Sequence, residues 1–278
     1  MSHPVPPIVL SLSALDPSGC AGLQADIETA ASLGCHCAPV ATSLCSTGVA
    51  ETSEVVPVDT TLIIAQARAV LEDMKVHAIK VGFAGSVRNI EAIHTILQDY
   101  PTLPLIIHPT FCLWDKDDPQ QAEMPEAIAS LLFPRADIAI LTMHEINLLV
   151  KAGDTFNATA QAILNLGLRK VLLTESSPTE RRWRTGLYDQ SGLIQQYEWH
   201  QATPSCHGSS STLTAAIAAF RAHDFPLQAA VEQAQNFTWQ AMAAAHQLGF
   251  GKPTPHRFFW ADENIEQPDT MPSGNPVH

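Results

Sequence analysis

Seven consecutive residues, His207-Gly208-Ser209-Ser210-Ser211-Thr212-Leu213, have the composition of an anion-binding turn, and they run directly into an Ala-rich stretch at 214–219. A small-residue turn that opens a helix points several backbone N–H groups and the positive end of the helix dipole at one place. Such a turn can hold a phosphate group without a basic side chain. Serine is also favoured at ordinary helix N-caps, so the residues alone leave both interpretations open.

The elements that must position this turn follow from apolar runs that alternate with helical patterns. Strands are predicted at 8–14, 38–44, 78–81, 105–107, 138–141 and 170–173, and an edge hairpin at 186–188 and 193–197. Helices are predicted at 23–34, 61–71, 89–97, 125–133, 145–151, 159–166, 209–221 and 227–247. This alternation predicts a three-layer α/β/α fold with a mainly parallel central sheet. We expect a single domain over 8–260, an N-terminal tail at 1–7 and a disordered C-terminal tail at 261–278.

Composition narrows the class of ligand. The 278 residues are 46% hydrophobic and carry a formal net charge of −13, which disfavours nucleic acid and anionic membranes as partners. The first residues do not resemble a signal peptide, and no apolar run is long enough to span a membrane. Six scattered cysteines are typical of reduced thiols. We expect a cytoplasmic protein with a small-molecule ligand.

A second motif lies near the N-terminus and gives the turn a family context. The stretch from Asp16 to Asp26, DPSGCAGLQAD, resembles the Asp-Pro-Ser-Gly-Gly-Ala-Gly-Ile-Gln-Ala-Asp signature of hydroxymethylpyrimidine/phosphomethylpyrimidine kinases. The turn at 207–213 resembles the His-Gly-Thr-Gly-Cys-Thr-Leu turn of the same family, which belongs to the ribokinase-like superfamily. The resemblance extends over residues 8–260. It implies ATP-dependent phosphorylation of hydroxymethylpyrimidine or its phosphate in thiamine biosynthesis, with ATP and Mg²⁺ as cofactors and a homodimer as a further expectation.

The resemblance implies a pyrimidine pocket built from Ala14, Asp26, Thr47, Phe83 and Thr110. Ala14 stands where the family has a glycine that lets the backbone approach the ring. Thr47 replaces a Glu or Gln, and it is too short for a bidentate contact with a pyrimidine. Phe83 matches a side chain that packs on the ring, although an ordinary core aromatic is an equal interpretation.

On the nucleotide side, the resemblance points to His108, Thr142, Glu145 and Thr174. Glu145 keeps an acidic position associated with Mg-nucleotide and is the one candidate metal ligand. His108 replaces an Asp and is not a hard oxygen ligand. Thr142 replaces an Asn, and Thr174 replaces a phosphate-facing Lys. The neighbouring Glu175 would repel a triphosphate if it faced the site, and the favoured alternative is that it turns outward.

The catalytic positions implied by the resemblance are Gly208, Ser210 and Ser211. Ser210 replaces the second glycine of the anion hole, and Ser211 replaces the Cys or Asp that deprotonates the substrate hydroxyl. A serine hydroxyl is a poor general base without an activating neighbour. Two functions therefore remain open: a kinase with impaired activity, and a non-catalytic pyrimidine-binding or regulatory homologue of such a kinase.

Overall fold

A computed structural model describes residues 5–47, 52–177, 182–199 and 205–262. Its strands form one nine-stranded sheet in the order β3-β2-β1-β4-β5-β6-β7-β8-β9. The strands are β1 Ile8–Leu15, β2 His36–Thr47, β3 Thr52–Pro57, β4 Val76–Val81, β5 Leu105–Ile107, β6 Ile138–Thr142, β7 Lys170–Ser177, β8 Arg182–Asp189 and β9 Gly192–Trp199. The central pairs from β2 to β7 are parallel, and β3, β8 and β9 pair in antiparallel fashion.

Helices cover both faces of this sheet. They are α1 Gly22–Ser32, α2 Thr60–Asp73, α3 Val87–Asp99, α4 Met124–Ala127, α5 Met143–Leu149, α6 Phe156–Leu164, α7 Ser209–Ala222 and α8 Leu227–Ala243. One apolar cluster packs α2 to α6 against one face, and a second packs α1, α7 and α8 against the other. No helix within the described ranges is long and apolar enough to cross a bilayer.

The main predicted elements are all present, with shifts at their ends. Strand β3 was not predicted, and it pairs with β2 at the edge of the sheet. The predicted helix at 125–133 is wrong in part, because a short α-helix passes into a π-helical turn at Ile128–Leu132. The last predicted helix extends too far: α8 ends at Ala243, and His246 instead forms a β-bridge to Thr254. Most of the predicted C-terminal tail, 263–278, lies outside the described residues.

The Ala-rich composition of α7 lets this helix lie close to the centre of the sheet. Ala215, Ala216, Ala218 and Ala219 are all buried, and the helix contacts β1, β4 and β5. Small side chains allow this close approach, and Gly208 at the start of α7 lies against Cys20 in the loop that follows the carboxyl end of β1. The fold therefore brings the predicted anion turn to the edge where ligands bind in parallel α/β sheets.

Candidate active site

A band of buried polar side chains lies on the sheet face under α7, close to the carboxyl ends of the strands. Apolar residues such as Val9, Ala78 and Ile106 pack on this face, and the polar residues follow them two positions later on the same strands. We name this the polar band, and its members are Ser11, Ser13, Lys80, His108 and Thr174, each at most 6% exposed.

A buried ion pair connects the polar band to α1. Lys80 Nζ lies 2.8 Å from Asp26 Oδ2, and both side chains are only 2% exposed. Ser11 Oγ donates to the same oxygen at 2.6 Å, and Ser13 Oγ accepts from Lys80 Nζ at 3.5 Å. Asp26 Oδ1 is buried and has no hydrogen-bond partner among the described residues. The Asp26 of the predicted pyrimidine pocket therefore lies in a low-dielectric cluster at the sheet centre.

His108 occupies the middle of the site, at the end of β5. Burial lowers the pKa of His108 below its ordinary value, and the positive charge of Lys80 adds to this, while the carboxylates of Glu145 and Asp26 act in the opposite direction. Its Nδ1 lies 2.6 Å from Thr110 Oγ1, and its Nε2 has no partner within the described part of the chain. The imidazole is therefore neutral at neutral pH and brings no charge to the site.

This lowered pKa predicts a pH dependence of stability. The unfolded chain protonates His108 at about its ordinary pKa of 6.5, whereas the folded chain protonates it only at lower pH. Stability should therefore fall as the pH drops below about 6.5. We expect His108→Gln to reduce the difference in unfolding free energy between about pH 7 and about pH 5, measured by urea denaturation. The exposed His144→Gln serves as control, and equal slopes in both variants would contradict the assignment.

Thr110 follows His108 in an unusual backbone conformation. Its φ is 54° and its ψ is 50°, the left-handed region, which a β-branched residue rarely adopts. The Thr110 hydroxyl donates to the His108 carbonyl oxygen at 3.0 Å and so holds the turn closed. Strained positions of this kind concentrate at ligand sites, and the role of Thr110 in substrate binding stays a prediction.

The three remaining nucleotide-side positions cluster at the ends of β6 and β7. Glu145 is 3% exposed, and its Oε2 accepts from the backbone N–H of Thr142 at 2.9 Å and also from the Thr142 hydroxyl. This capping box opens α5. Thr174 is paired with Thr142 in the β6–β7 register, and its hydroxyl donates to the Leu141 carbonyl at 3.4 Å.

The donor set does not match a resident Mg²⁺ site. Mg²⁺ is usually held by one or two carboxylates together with waters and substrate phosphates, and Glu145 supplies a single carboxylate that already accepts hydrogen bonds from Thr142. The buried carboxylate of Asp26 is paired with Lys80. Over the described ranges, no group of three or more His, Cys, Asp or Glu residues could hold a metal ion.

The anion turn has the geometry of a helix start that packs on a second loop. Gly208 is the N-cap of α7 with a φ of 84°, and Ser209, Ser210 and Ser211 form its first turn. A Cβ on Gly208 would lie 1.8 Å from the carbonyl oxygen of Cys20, in the β1–α1 loop. Only glycine permits both this φ and this close approach. The structure therefore brings the two sequence motifs into direct backbone contact.

We expect Gly208→Ala to destabilise the protein by at least about 2 kcal/mol, because left-handed strain and a clash with Cys20 act together. Gly34 provides a matched control, since its φ of 75° is similar and its Cβ would meet nothing closer than 4.0 Å. Gly34→Ala should cost only about 1 kcal/mol. Equal losses for the two variants in chemical denaturation would show that the contact with Cys20 is unimportant.

The β1–α1 loop is organised by Asp16. Its carboxylate accepts the N–H groups of Ser18 at 2.9 Å and of Ala21, the residue before α1, at 3.0 Å. His207 Nε2, at the start of the anion turn, lies 3.6 Å from Asp16 Oδ2. Burial alone would raise the pKa of Asp16, but hydrogen bonds from His207, Ser18 and these amides outweigh burial and lower it. Asp16 therefore links the loop to the turn as a carboxylate.

Two other predicted pyrimidine-side residues, Ala14 and Phe83, are almost completely buried. Ala14 is 1% exposed, and its carbonyl would lie 2.3 Å from a Cβ on Gly22. Phe83 is also 1% exposed and belongs to the apolar cluster opposite α7, while its carbonyl accepts from the Thr42 hydroxyl. The side chains of Thr47 and Glu175 lie outside the described part of the structure.

A small cavity adjoins the nucleotide-side residues. It is lined by Thr174 and Ser210 together with two tryptophans and residues of α8, and its volume is about 30 Å³. The tryptophans are Trp183 and Trp239. A space of this volume holds a water molecule.

The comparisons with known proteins decide the family. A family model described as phosphomethylpyrimidine kinase matches residues 16–256. This range includes both motifs and three members of the polar band, Lys80, His108 and Thr174. The chain belongs to this family. The hydroxymethylpyrimidine/phosphomethylpyrimidine kinase of Mycobacterium tuberculosis is 31% identical over 255 residues, covering 88% of this chain and 92% of the relative. That of Rhizobium meliloti is 29% identical over 92% of this chain and 99% of the relative.

Solved structures confirm the predicted ribokinase-like fold. The ADP complex of Bacillus subtilis pyridoxal kinase has a TM-score of 0.82 at 23% identity and covers 92% of this chain and 100% of its own. Staphylococcus aureus pyridoxal kinase with AMP-PCP and pyridoxal has a TM-score of 0.80 at 19% identity, covering 92% of this chain and 95% of its own. Phosphomethylpyrimidine kinase from Clostridium difficile has a TM-score of 0.69 at 22% identity, covering 85% and 99%.

Two contributors to the site were missed from the sequence. The pairing of Lys80 with Asp26 could have been recognised from the serines that alternate with apolar residues in β1, since these predict a polar surface facing α1 and α7. Arg257 had no such signal. It lies after α8, far along the chain from α1 and the turn, yet it contacts both.

Proposed function

We propose that this protein is a pyrimidine-binding member of the hydroxymethylpyrimidine/phosphomethylpyrimidine kinase family whose ATP-dependent phosphoryl transfer is impaired. The observation that carries the proposal is the neutral, buried His108 beside Glu145. Phosphoryl transfer depends on positioning and on charge stabilisation of the triphosphate. A neutral imidazole provides neither an oxygen ligand for a metal nor a positive charge for a phosphate.

The neighbouring positions do not compensate for His108. The Thr174 hydroxyl is directed to a backbone carbonyl, and the Glu145 carboxylate caps its own helix. Ser211 supplies a hydroxyl of high intrinsic pKa where the family has a Cys or Asp. These features support weak nucleotide binding and slow chemistry.

The substrate side retains more of the family pattern. The Asp16 carboxylate holds its loop by two backbone hydrogen bonds, the loop touches the anion turn, and Thr110 has a strained backbone close to His108. These features support retained binding of a small pyrimidine. A non-catalytic regulatory role, as a partner of an active kinase, is the limiting case in which turnover is absent.

Separate calorimetric titrations of Mg-ATP and hydroxymethylpyrimidine test this function. We expect Mg-ATP to bind at least about tenfold more weakly than to the Mycobacterium tuberculosis relative, which is about 1.4 kcal/mol. We expect hydroxymethylpyrimidine to bind both proteins with similar affinity. Low-micromolar binding of Mg-ATP would contradict the proposal, and so would an absence of pyrimidine binding.

A further inference from the structure

Arg257 is the largest fully buried charged side chain of the described protein, and the kinase motifs assign it no role. Its side chain is 1% exposed, although it belongs to the segment that follows α8. The guanidinium makes three directed hydrogen bonds, one to each of three different parts of the fold. Burial of a charge is costly unless every direction is satisfied, so this arrangement indicates a specific task.

The three bonds connect the two loops of the candidate site. Nε donates to the Thr212 hydroxyl of α7 at 3.0 Å, and Nη1 donates to Glu28 Oε2 of α1 at 2.8 Å. Nη2 donates to the carbonyl of Cys20 in the β1–α1 loop. That carbonyl is the atom that packs on Gly208, so Arg257 satisfies it at the point where the loop and the turn meet.

The contact at Thr212 extends to the turn itself. The Thr212 hydroxyl accepts from Arg257 and donates to the carbonyl of Gly208 at 3.0 Å. Nη2 of Arg257 would lie 3.0 Å from a Cβ on Gly208. The planar guanidinium therefore holds Gly208 by two routes. One runs through the carbonyl of Cys20 and the other through the hydroxyl of Thr212. Lysine could not replace it, because a single ammonium group cannot reproduce this fork.

The backbone of Arg257 is held as firmly as its side chain. Its carbonyl accepts from Ser32 Oγ at 2.6 Å, at the end of α1. Gln24 donates to the other oxygen of Glu28 at 2.8 Å and orients that carboxylate. Contacts with α1 therefore fix the position of Arg257 independently of its contacts with the loop and the turn.

From this geometry, we propose that Arg257 is a positioning residue that sets the anion-binding turn of α7 against the β1–α1 loop, so that the N–H groups of the turn meet a substrate phosphate. The proposal rests on the proposed function for the ligand, a pyrimidine that carries a phosphate. It does not require catalytic turnover. Arg257 touches neither substrate nor nucleotide in this role and acts only through Gly208, Thr212 and Cys20.

The test compares Arg257→Met and Arg257→Lys with Arg135→Met. Arg135 is a suitable control because its guanidinium also donates to two backbone carbonyls, those of Tyr100 and Leu103, away from the turn. Hydrogen exchange is measured for peptides over 16–21 and 207–213. We expect at least about tenfold faster exchange there in Arg257→Met, a smaller increase in Arg257→Lys and no change in Arg135→Met. Unchanged exchange in Arg257→Met, or an equal increase in the control, would overturn the proposal.

A second readout is the increase in binding affinity that a phosphate group gives to hydroxymethylpyrimidine. The ratio of the dissociation constants of hydroxymethylpyrimidine and its phosphate should fall by about tenfold in Arg257→Met and remain unchanged in Arg135→Met, because the N–H groups of a displaced turn no longer meet the phosphate. An unchanged ratio in Arg257→Met would overturn the role in phosphate binding. If the wild-type protein binds neither compound, the proposed function fails, and exchange at the turn still decides the positioning role without a ligand.

Discussion

Replacing Ser210→Gly together with Ser211→Cys is expected to leave phosphorylation of hydroxymethylpyrimidine at the wild-type level. These two changes restore the anion hole and the base, which contribute about 10²–10³-fold each in a complete site. The triphosphate would still meet a neutral His108 and a Thr174 whose hydroxyl is bound to Leu141. Adding His108→Asp and Thr174→Lys should raise turnover by at least about 10²-fold, because these groups act as a unit.

Steady-state assays of the wild type, the double variant and the quadruple variant measure this effect. The pair His108→Asp with Thr174→Lys, without the serine changes, is the matched control and should also remain at the wild-type level. Full recovery in the Ser210→Gly, Ser211→Cys variant alone would show that the nucleotide side is intact and would refute the role given to His108.

Breaking the buried ion pair at the sheet centre should have the largest effect on stability. Lys80→Met leaves the Asp26 carboxylate buried without its partner, and we expect a loss of about 3–5 kcal/mol in chemical denaturation. Combining Lys80→Met with Asp26→Leu should recover most of this loss, since a buried pair can often be replaced by apolar side chains. The double variant separates an unpaired charge from a simple packing defect.

The exposed pair of Arg68 and Asp99 is the control for this experiment. Its atoms lie 2.9 Å apart, but the side chains are 47% and 55% exposed. Arg68→Met should therefore cost less than about 1 kcal/mol. A loss of that size for Lys80→Met would mean that water reaches the Asp26 carboxylate in the folded protein.

The sequence predicted the central fold well, because strong periodicity and local composition determine it. Strand β5 was predicted with its observed bounds, and the Ala-rich α7 begins at the predicted Ser209. The failures have physical causes. Strand β3 depends on antiparallel pairing with β2 rather than on an apolar run of its own, and α8 stops because the backbone of His246 pairs with Thr254.

The roles predicted for the site residues stay predictions, and the contacts between these residues were not predicted. Motif order identified Gly208, His108 and Glu145, yet no spacing in the sequence shows that Cys20 contacts Gly208. The contacts of Arg257 join positions 229 and 45 residues apart in the chain, to Glu28 and Thr212 respectively. Long-range contacts of this kind come from tertiary packing, which local patterns do not encode.

A single-turnover assay tests the central claim most directly. The protein is mixed in excess with γ-labelled Mg-ATP and saturating hydroxymethylpyrimidine, and transfer of the label is followed next to the Mycobacterium tuberculosis relative. If His108 and Thr174 bring no charge to the triphosphate and Ser211 is a poor base, as we propose, the transfer rate should be at least about 10³-fold below that of the relative. A rate within about tenfold of the relative would contradict impaired phosphoryl transfer and identify the chain as a working kinase.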